Sequence, residues 1–481
     1  MIFSSKSFIF IFLPLVFLIN LFLNRLKNPY LSKIWLILAS FYFYAQGSFS
    51  FFPFFLATVI FNFGIGTFLT KFHHQPASLR KKNLLFALGL AENLLLLAYF
   101  KYTNFFIQNI NGLFGLDLAT LQIILPIGIS FFTFQLIAYL MDCYRNKSNP
   151  YSFLDYLLFV TFFPQLIIGP IVHHKDIIPQ FENANQRNFN WDMLKMGIVI
   201  FSMGCGKKVL LADPLTAYAK IFFTQVSGFD MLTAWLSSIA YTFSYYFDLS
   251  GYADMAIGLG YMFNIKLPQN FNSPYKARNF SDYWKRWHMT LSKFLSDYVF
   301  RTVYKKGSAS LNFYIAVLIT FLVSGFWHGA SWNFVVWGLI NGIFVCSANF
   351  MERKQWKFPF FIAWTLTFIG IIATRIIFVS NNFSLSLEIY QKLFDFSQFS
   401  SLSFPQILNI LKTFLFANFG TFMYLSVAMG LAFFGKTTEN LTSPMLTTQK
   451  YDTRYAIASG ILLTLSVFQM SQVVDFLYFK F

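Results

Sequence analysis

Apolar windows of roughly 20 residues, the length a helix needs to cross a hydrocarbon core, recur along the whole chain. They lie at 7–24, 33–49, 51–70, 83–100, 121–141, 192–212, 231–247, 311–328, 331–350, 358–379, 407–434 and 454–477. This pattern predicts an all-α integral membrane protein with about ten to twelve transmembrane helices, the range reflecting windows of half length. Between 152 and 172 the apolar run is interrupted by Pro164, Gly169 and Pro170, which predicts a re-entrant segment. Non-helical backbone at membrane depth is tolerated only against protein or a wet cavity, so a cavity is expected there. The apolar stretch 8–22 lacks a basic leader and a small-residue cleavage site, and reads as a retained first membrane helix. The least hydrophobic stretches, 174–191 and 435–453, are too short to fold alone, so 1–481 reads as one multi-pass membrane domain.

Composition supports that reading and excludes an ordinary soluble protein: 56% of residues are hydrophobic and only 11% charged. The net charge of +17 would point to nucleic acid in a soluble chain, but here the cations sit in short connectors between apolar runs. Cationic connectors of that kind face the cytoplasm and anionic lipid headgroups, so membrane lipid is the expected contact and nucleic acid is not. Arg25, Lys27 and Lys33 follow the first span, Lys71, Arg80, Lys81 and Lys82 the third, and Arg145 and Lys147 the fifth. With alternate loops basic, the N-terminus is expected outside. Cys143, Cys205 and Cys346 are too dispersed for a disulfide scaffold or a metal site.

Chemistry concentrates between 245 and 304, where a hydrophobic span passes into a polar, aromatic segment. Asp248, Ser250, Tyr252 and Asp254 fall at or inside a predicted span, where polar groups line an interior rather than face lipid. Trp284, His288 and Ser292 follow at intervals of four, so in a continuous helix they would share a face. That spacing fits a catalytic face and, equally, a basic amphipathic interfacial helix with aromatic anchors. A second cluster places Trp327 and His328 between Gly325 and Gly329 in an otherwise apolar region. A neutral imidazole there suits proton removal near physiological pH, although a lone buried histidine is more often structural. The flanking glycines permit close backbone approach.

Other polar features carry less. His73-His74 and His173-His174 are pairs in polar connectors without further ligands nearby, expected as solvated loop histidines. Gly204-Cys205-Gly206-Lys207-Lys208 lacks the glycine spacing and the hydroxyl residue of a phosphate loop. Glu92 falls within a predicted span and is expected to face the bundle interior.

Taken together, MIFSSKSFIFIFLPL at the start, ILPIGISFFTFQLIAYLMDCYR at 124–145, FFPQLIIGPIVHHKDIIPQF at 162–181, the segment 247–301 and VSGFWHGASWNFVVWGLING at 323–342 resemble the membrane-bound O-acyltransferase family. The likeness is to its bacterial polysaccharide O-acetyltransferase branch, which acts on alginate and peptidoglycan. It implies a ring of tilted membrane helices around a thin central funnel, with re-entrant and interfacial helices. It also implies that His328 is the catalytic histidine, a general base on an acceptor hydroxyl attacking an acyl thioester, and that His288 is the second histidine of an RWH motif. Asp248, Ser250, Tyr252, Asp254, Trp284 and Trp327 become candidates for lining the substrate channel. Acetyl-CoA is then the expected donor, with no tightly bound cofactor and no metal.

The same resemblance implies the bacterial inner membrane and an extracytoplasmic transferase of the SGNH or serine-hydrolase type that completes delivery to a cell-envelope polysaccharide. Peptidoglycan is the first choice of polymer, ahead of alginate or another exopolysaccharide. The chain ends in DFLYFKF, where Phe476, Tyr478 and Phe481 are similar to the terminal tyrosine motif of a small membrane peptide that carries D-alanine in teichoic-acid modification. By that similarity Tyr478 could carry acetyl as an aryl ester, a reactive donor because phenolate, with a pKa of about 10, leaves readily. An aromatic belt at a final membrane helix would use the same residues. Two other classes stay open: a transporter or flippase, which would carry internal repeats and have no need of His328, and a non-catalytic membrane scaffold, which would tolerate loss of either histidine.

Overall fold

The computed structural model describes residues 1–470 apart from 27, 73–78, 168, 184–188, 306, 308 and 449–452. Every regular element among the described residues is helical. They fall into two compact units, the first made of Met1–Ser202, Tyr252–Gln269 and Thr442–Ser459, the second of Met203–Gly251, Asn270–Leu441 and Gly460–Phe481.

The first unit holds α1 (Leu13–Arg25), α2 (Pro29–Ser48), α3 (Phe52–Lys71), α4 (Leu79–Leu97), α5 (Thr103–Phe114), α6 (Ile129–Tyr144), α7 (Phe153–Thr161), α8 (His174–Glu182) and most of α9 (Trp191–Cys205). Local chemistry starts these helices: the Asn28 side chain accepts from Tyr30 N with Pro29 behind it, and the Ser152 hydroxyl accepts from Asp155 N at the head of α7. Asn62 donates to Glu92 at 3.1 Å and accepts from Asn93 at 2.7 Å, so Glu92 faces neighbouring helices as expected. The 152–172 segment is broken: α7 ends at Thr161, Phe162 turns the chain, and a single helical turn, Phe163–Leu166, follows. Ser40 Oγ accepts from Phe163 N and the Gln165 amide donates to Phe159 O, so protein groups satisfy the irregular backbone.

The second unit holds α10 (Asp213–Thr224), the first part of α11 (Met231–Met262), α12 (Phe280–Trp284), α13 (Met289–Leu295), α14 (Ser310–His328), α15 (Trp332–Arg353), α16 (Phe360–Val379), α17 (Phe383–Leu393), α18 (Phe404–Ala417) and α19 (Phe419–Phe433). Among the described residues six apolar helical stretches are long enough to cross a bilayer, and seven if α18 and α19, bent by 77°, count as one span. Two of the six, Pro29–Lys71 and Leu79–Phe114, run 43 and 36 residues; the first joins the windows 33–49 and 51–70, and the second extends the window 83–100. Several other apolar windows of the sequence are occupied by shorter helices, such as the 16-residue α6.

Glycine sets the tightest packing in the second unit. A Cβ on Gly325 would stand 2.2 Å from Phe334 O, and one on Gly338 2.4 Å from Phe321 O. The backbones of α14 and α15 therefore meet directly, as small residues allow between membrane helices. Gly325→Ala is expected to lower the thermal unfolding temperature of the detergent-solubilised protein, by overpacking worth about 1–3 kcal/mol. Gly64→Ala, whose new methyl would meet no atom within 4 Å, is expected to leave it unchanged. Equal melting of the two variants would contradict this packing.

Candidate active site

His328 is the last residue of α14, held where the helix hairpin turns through Gly329–Ser331 into α15. The turn is anchored by Asn333, whose amide donates to Ser380 O at 2.7 Å just beyond the end of α16. The His328 side chain is buried and walled by aromatic rings: Trp327 at 4.9 Å, Trp337 at 5.1 Å and Phe378 at 5.3 Å between centroids. An imidazole in such a seat is kept from bulk water while its ring plane is fixed by edge-to-face contacts.

His288 belongs to the same unit and lies in a chain break rather than on a continuous helix. The chain leaves α12 at Trp284, and α13 begins only at Met289. His288 between them has φ 48°, a left-handed conformation that a β-carbon disfavours. Asn270 holds this break in place: its carbonyl accepts from Met289 N at 2.9 Å, and its side chain accepts from Thr290 Oγ1 at 2.9 Å and Thr290 N at 3.2 Å. The expected shared helical face of Trp284, His288 and Ser292 is therefore corrected. Ser292 instead donates back to Trp284 O at 3.1 Å, closing the break. The spacing of four was read on an unbroken helix, and the left-handed residue cannot be seen in the spacing.

Two polar atoms of this segment are buried without a hydrogen-bond partner, Trp284 Nε1 and His288 Nδ1. Buried groups of that kind are rare and mark places where a ligand can complete the bonding. Burial also pushes the His288 imidazole down to about 4, so it is neutral at physiological pH. A continuous set of rings joins the two histidines. Phe271 lies 6.1 Å from His288 and 5.1 Å from Trp287, Trp287 stacks on Tyr245 at 5.9 Å, Tyr245 meets Phe378 at 5.5 Å, and Phe378 meets His328. Trp284 packs on Trp337 at 5.7 Å from the other side.

The remaining candidates divide. Trp327 is buried beside His328, and Ser250 is buried with an unpartnered hydroxyl. Asp248 is buried and charge-paired: Lys208 Nζ stands 2.7 Å from it and 2.6 Å from Asp213. Lys208 is thus a helical residue neutralised by carboxylates and no part of a phosphate loop. Tyr252 and Asp254 belong to the first unit, where Tyr252 stacks on Phe3 at 4.6 Å. Tyr478 and the pair His73-His74 lie outside the described residues. His174 corrects an expectation: it is fully buried, paired with Asp142 at 3.2 Å and Tyr151 at 2.9 Å, because the polar connector folds back beneath α6.

Sequence reasoning passed over Arg375. It is buried on α16, the one charged residue of Phe360–Val379, with its guanidinium 4.0 Å from the Tyr245 ring centroid. The signal was present: a lone arginine in an apolar span marks a functional interior.

Residues 42–388 match the family described as MBOAT, membrane-bound O-acyltransferase family. The chain is 41% identical over 419 residues to the peptidoglycan O-acetyltransferase of Helicobacter pylori, covering 81% of this chain and 79% of that one. It is 34% identical over 404 residues to the probable alginate O-acetylase of Pseudomonas aeruginosa, covering 82% and 75%. With the teichoic acid D-alanyltransferase of Bacillus subtilis it shares 30% identity over 262 residues, 52% of this chain and 65% of the other.

The neutral burial of His288 has a pH consequence. The unfolded chain takes up that proton near pH 6.5 and the folded chain near about 4, so between these values the unfolded state holds more protons and stability rises with pH. The stabilisation is complete above 6.5 and is lost as pH falls toward 4. Melting temperatures recorded across this window should fall more steeply on acidification for the wild type than for His288→Gln, and parallel curves would contradict the assignment.

Proposed function

Because the chain belongs to the membrane-bound O-acyltransferase family, we propose that it moves acetyl from cytoplasmic acetyl-CoA across the membrane for O-acetylation of an extracytoplasmic polysaccharide. The observation that carries the chemical part is the seat of His328: a buried imidazole fixed by three aromatic rings at the mouth of a glycine-packed hairpin. His328 takes the proton of the acceptor hydroxyl as its oxygen adds to the thioester carbonyl, and returns it to the departing thiolate. His288, neutral and with an open Nδ1, positions the donor or assists the proton. Trp284 Nε1 is an available donor on the same segment, while Trp327, Asp248, Ser250, Tyr252 and Asp254 remain candidates for the substrate path.

Peptidoglycan is the polymer we favour, supported by the 41% identity to a peptidoglycan O-acetyltransferase, with alginate or another exopolysaccharide as the alternative. In this reading the chain is a single membrane domain of the bacterial inner membrane. An extracytoplasmic transferase of the SGNH type completes delivery, and Tyr478 carries the acetyl group between them. The relative that acts in teichoic acid D-alanylation supports a shared export of acyl groups.

Incubation of the full chain in nanodiscs with labelled acetyl-CoA, followed by peptide mass analysis, tests this. His328→Ala is expected to lower acetyl transfer by about 10²- to 10⁴-fold. Label on Tyr478 that is absent from both His328→Ala and Tyr478→Phe supports the carrier. Transfer to an added partner without label on Tyr478 removes the carrier and keeps the enzyme. Transfer indifferent to His328 in a folded protein overturns the catalytic assignment.

A further inference from the structure

Arg375 is the most unusual charge in the second unit. It is 6% exposed, and among the described residues no carboxylate stands within ion-pair distance of it. Aromatic faces take the place of a counter-ion: the guanidinium carbon is 4.0 Å from the Tyr245 centroid, 4.9 Å from Trp287 and 5.4 Å from Phe378. Ring quadrupoles hold such a cation without cancelling its charge. Its Nε is buried without a hydrogen-bond partner. The contrast within the same unit is Lys208, which two aspartates neutralise.

Position connects this group to the site. Arg375 and Phe378 are three residues apart on α16 and so share a face. Phe378 is also the ring that meets His328 at 5.3 Å. A fixed cation with an open Nε and a buried imidazole that meet the same Phe378 ring supply the two polarities that acyl transfer requires.

Resting on the acyl-transfer reading above, we propose that Arg375 is a further catalytic residue whose Nε–H donates to the carbonyl oxygen of the bound acyl thioester. As the acceptor oxygen forms its bond to the carbonyl carbon, its proton passes to His328 and the carbonyl π pair moves onto oxygen. Arg375 stabilises that oxyanion. When the pair returns, the carbon–sulfur bond breaks, and the thiolate takes the proton from His328 to leave as a thiol. The products are one ester and one thiol, with His328 and Arg375 restored.

The test measures thiol release from acetyl-CoA by the full chain in nanodiscs, with chitotetraose and, separately, the extracytoplasmic transferase as acceptor. Wild type, R375Q, R375K and H328A are compared, with melting temperatures and the affinity of a ketone analogue of acetyl-CoA measured alongside. R375Q is expected to lose about 10²- to 10³-fold in kcat, the usual effect of removing one oxyanion donor. R375K keeps the charge without the fixed donor and should lose about tenfold. In both, KM and analogue binding should stay within about threefold of wild type, because the bond strengthens only as charge develops. R375Q or R375K at wild-type kcat overturns the proposal, as does a loss that follows a lowered melting temperature. Should R375Q fail to fold, R375K decides alone. Thiol release unchanged in folded H328A would instead overturn the underlying acyl-transfer reading, whatever the Arg375 variants do.

Discussion

The backbones of α14 and α15 touch at Gly325 and Gly338 more closely than any side chain would permit, and the second unit is organised around that contact. In an apolar medium the hydrophobic effect does little to press one helix against another, so dispersion between closely fitted backbones has to supply the association. Once the hairpin is closed this tightly, its tip has little freedom. His328 is the last helical residue before the tip, and Trp327, Trp337 and Phe378 fill the space around it. Edge-to-face packing on three sides fixes the orientation of this imidazole.

Burial imposes a second constraint, and the chain answers it in three ways. Lys208 and its two aspartates form a compact group in which opposite charges offset each other. His288 sheds its proton, since imidazole can be neutral at little cost. Arg375 cannot do so, because guanidinium keeps its charge in proteins, and it is surrounded by the π faces of Tyr245 and Trp287 instead. These answers differ in what they leave available: the lysine's charge is met by two carboxylates, the histidine leaves a ring nitrogen, and the arginine leaves a full charge with one open N–H.

Much of the fold class was legible from windows of apolar residues, because a membrane helix must be apolar over its whole length and that requirement is written linearly. The family resemblance rested on local motifs, and residues 42–388 bear it out. What the linear pattern hid was set by tertiary structure. Ser292 at four residues from His288 looked like a shared helical face, yet the left-handed His288 breaks the helix and turns Ser292 back onto Trp284. His174 looked like a solvated connector residue, yet Asp142 and Tyr151 meet it from distant positions. Arg375 was readable in principle as a lone charge in an apolar span, but its aromatic surroundings come from α11, from the segment before α13 and from α16 itself, which no window of sequence joins.

The break between α12 and α13 is the least economical feature of the second unit, and its cost argues for its use. A straight helix through 280–295 would satisfy its backbone internally and avoid a left-handed histidine. The chain instead spends Asn270 on holding the start of α13, and leaves Trp284 Nε1 and His288 Nδ1 without partners. Unpaired buried donors and strained residues destabilise a fold unless something in the functional state completes them. Trp287 lies within the same break and is one of the rings that hold Arg375, so straightening the segment would remove part of the cation's support as well as displace His288. The strain is therefore placed where one short segment positions a neutral imidazole and buttresses a permanent charge. Straightening it would disturb both buried groups at once, which ties the strain to the site rather than to the stability of the fold.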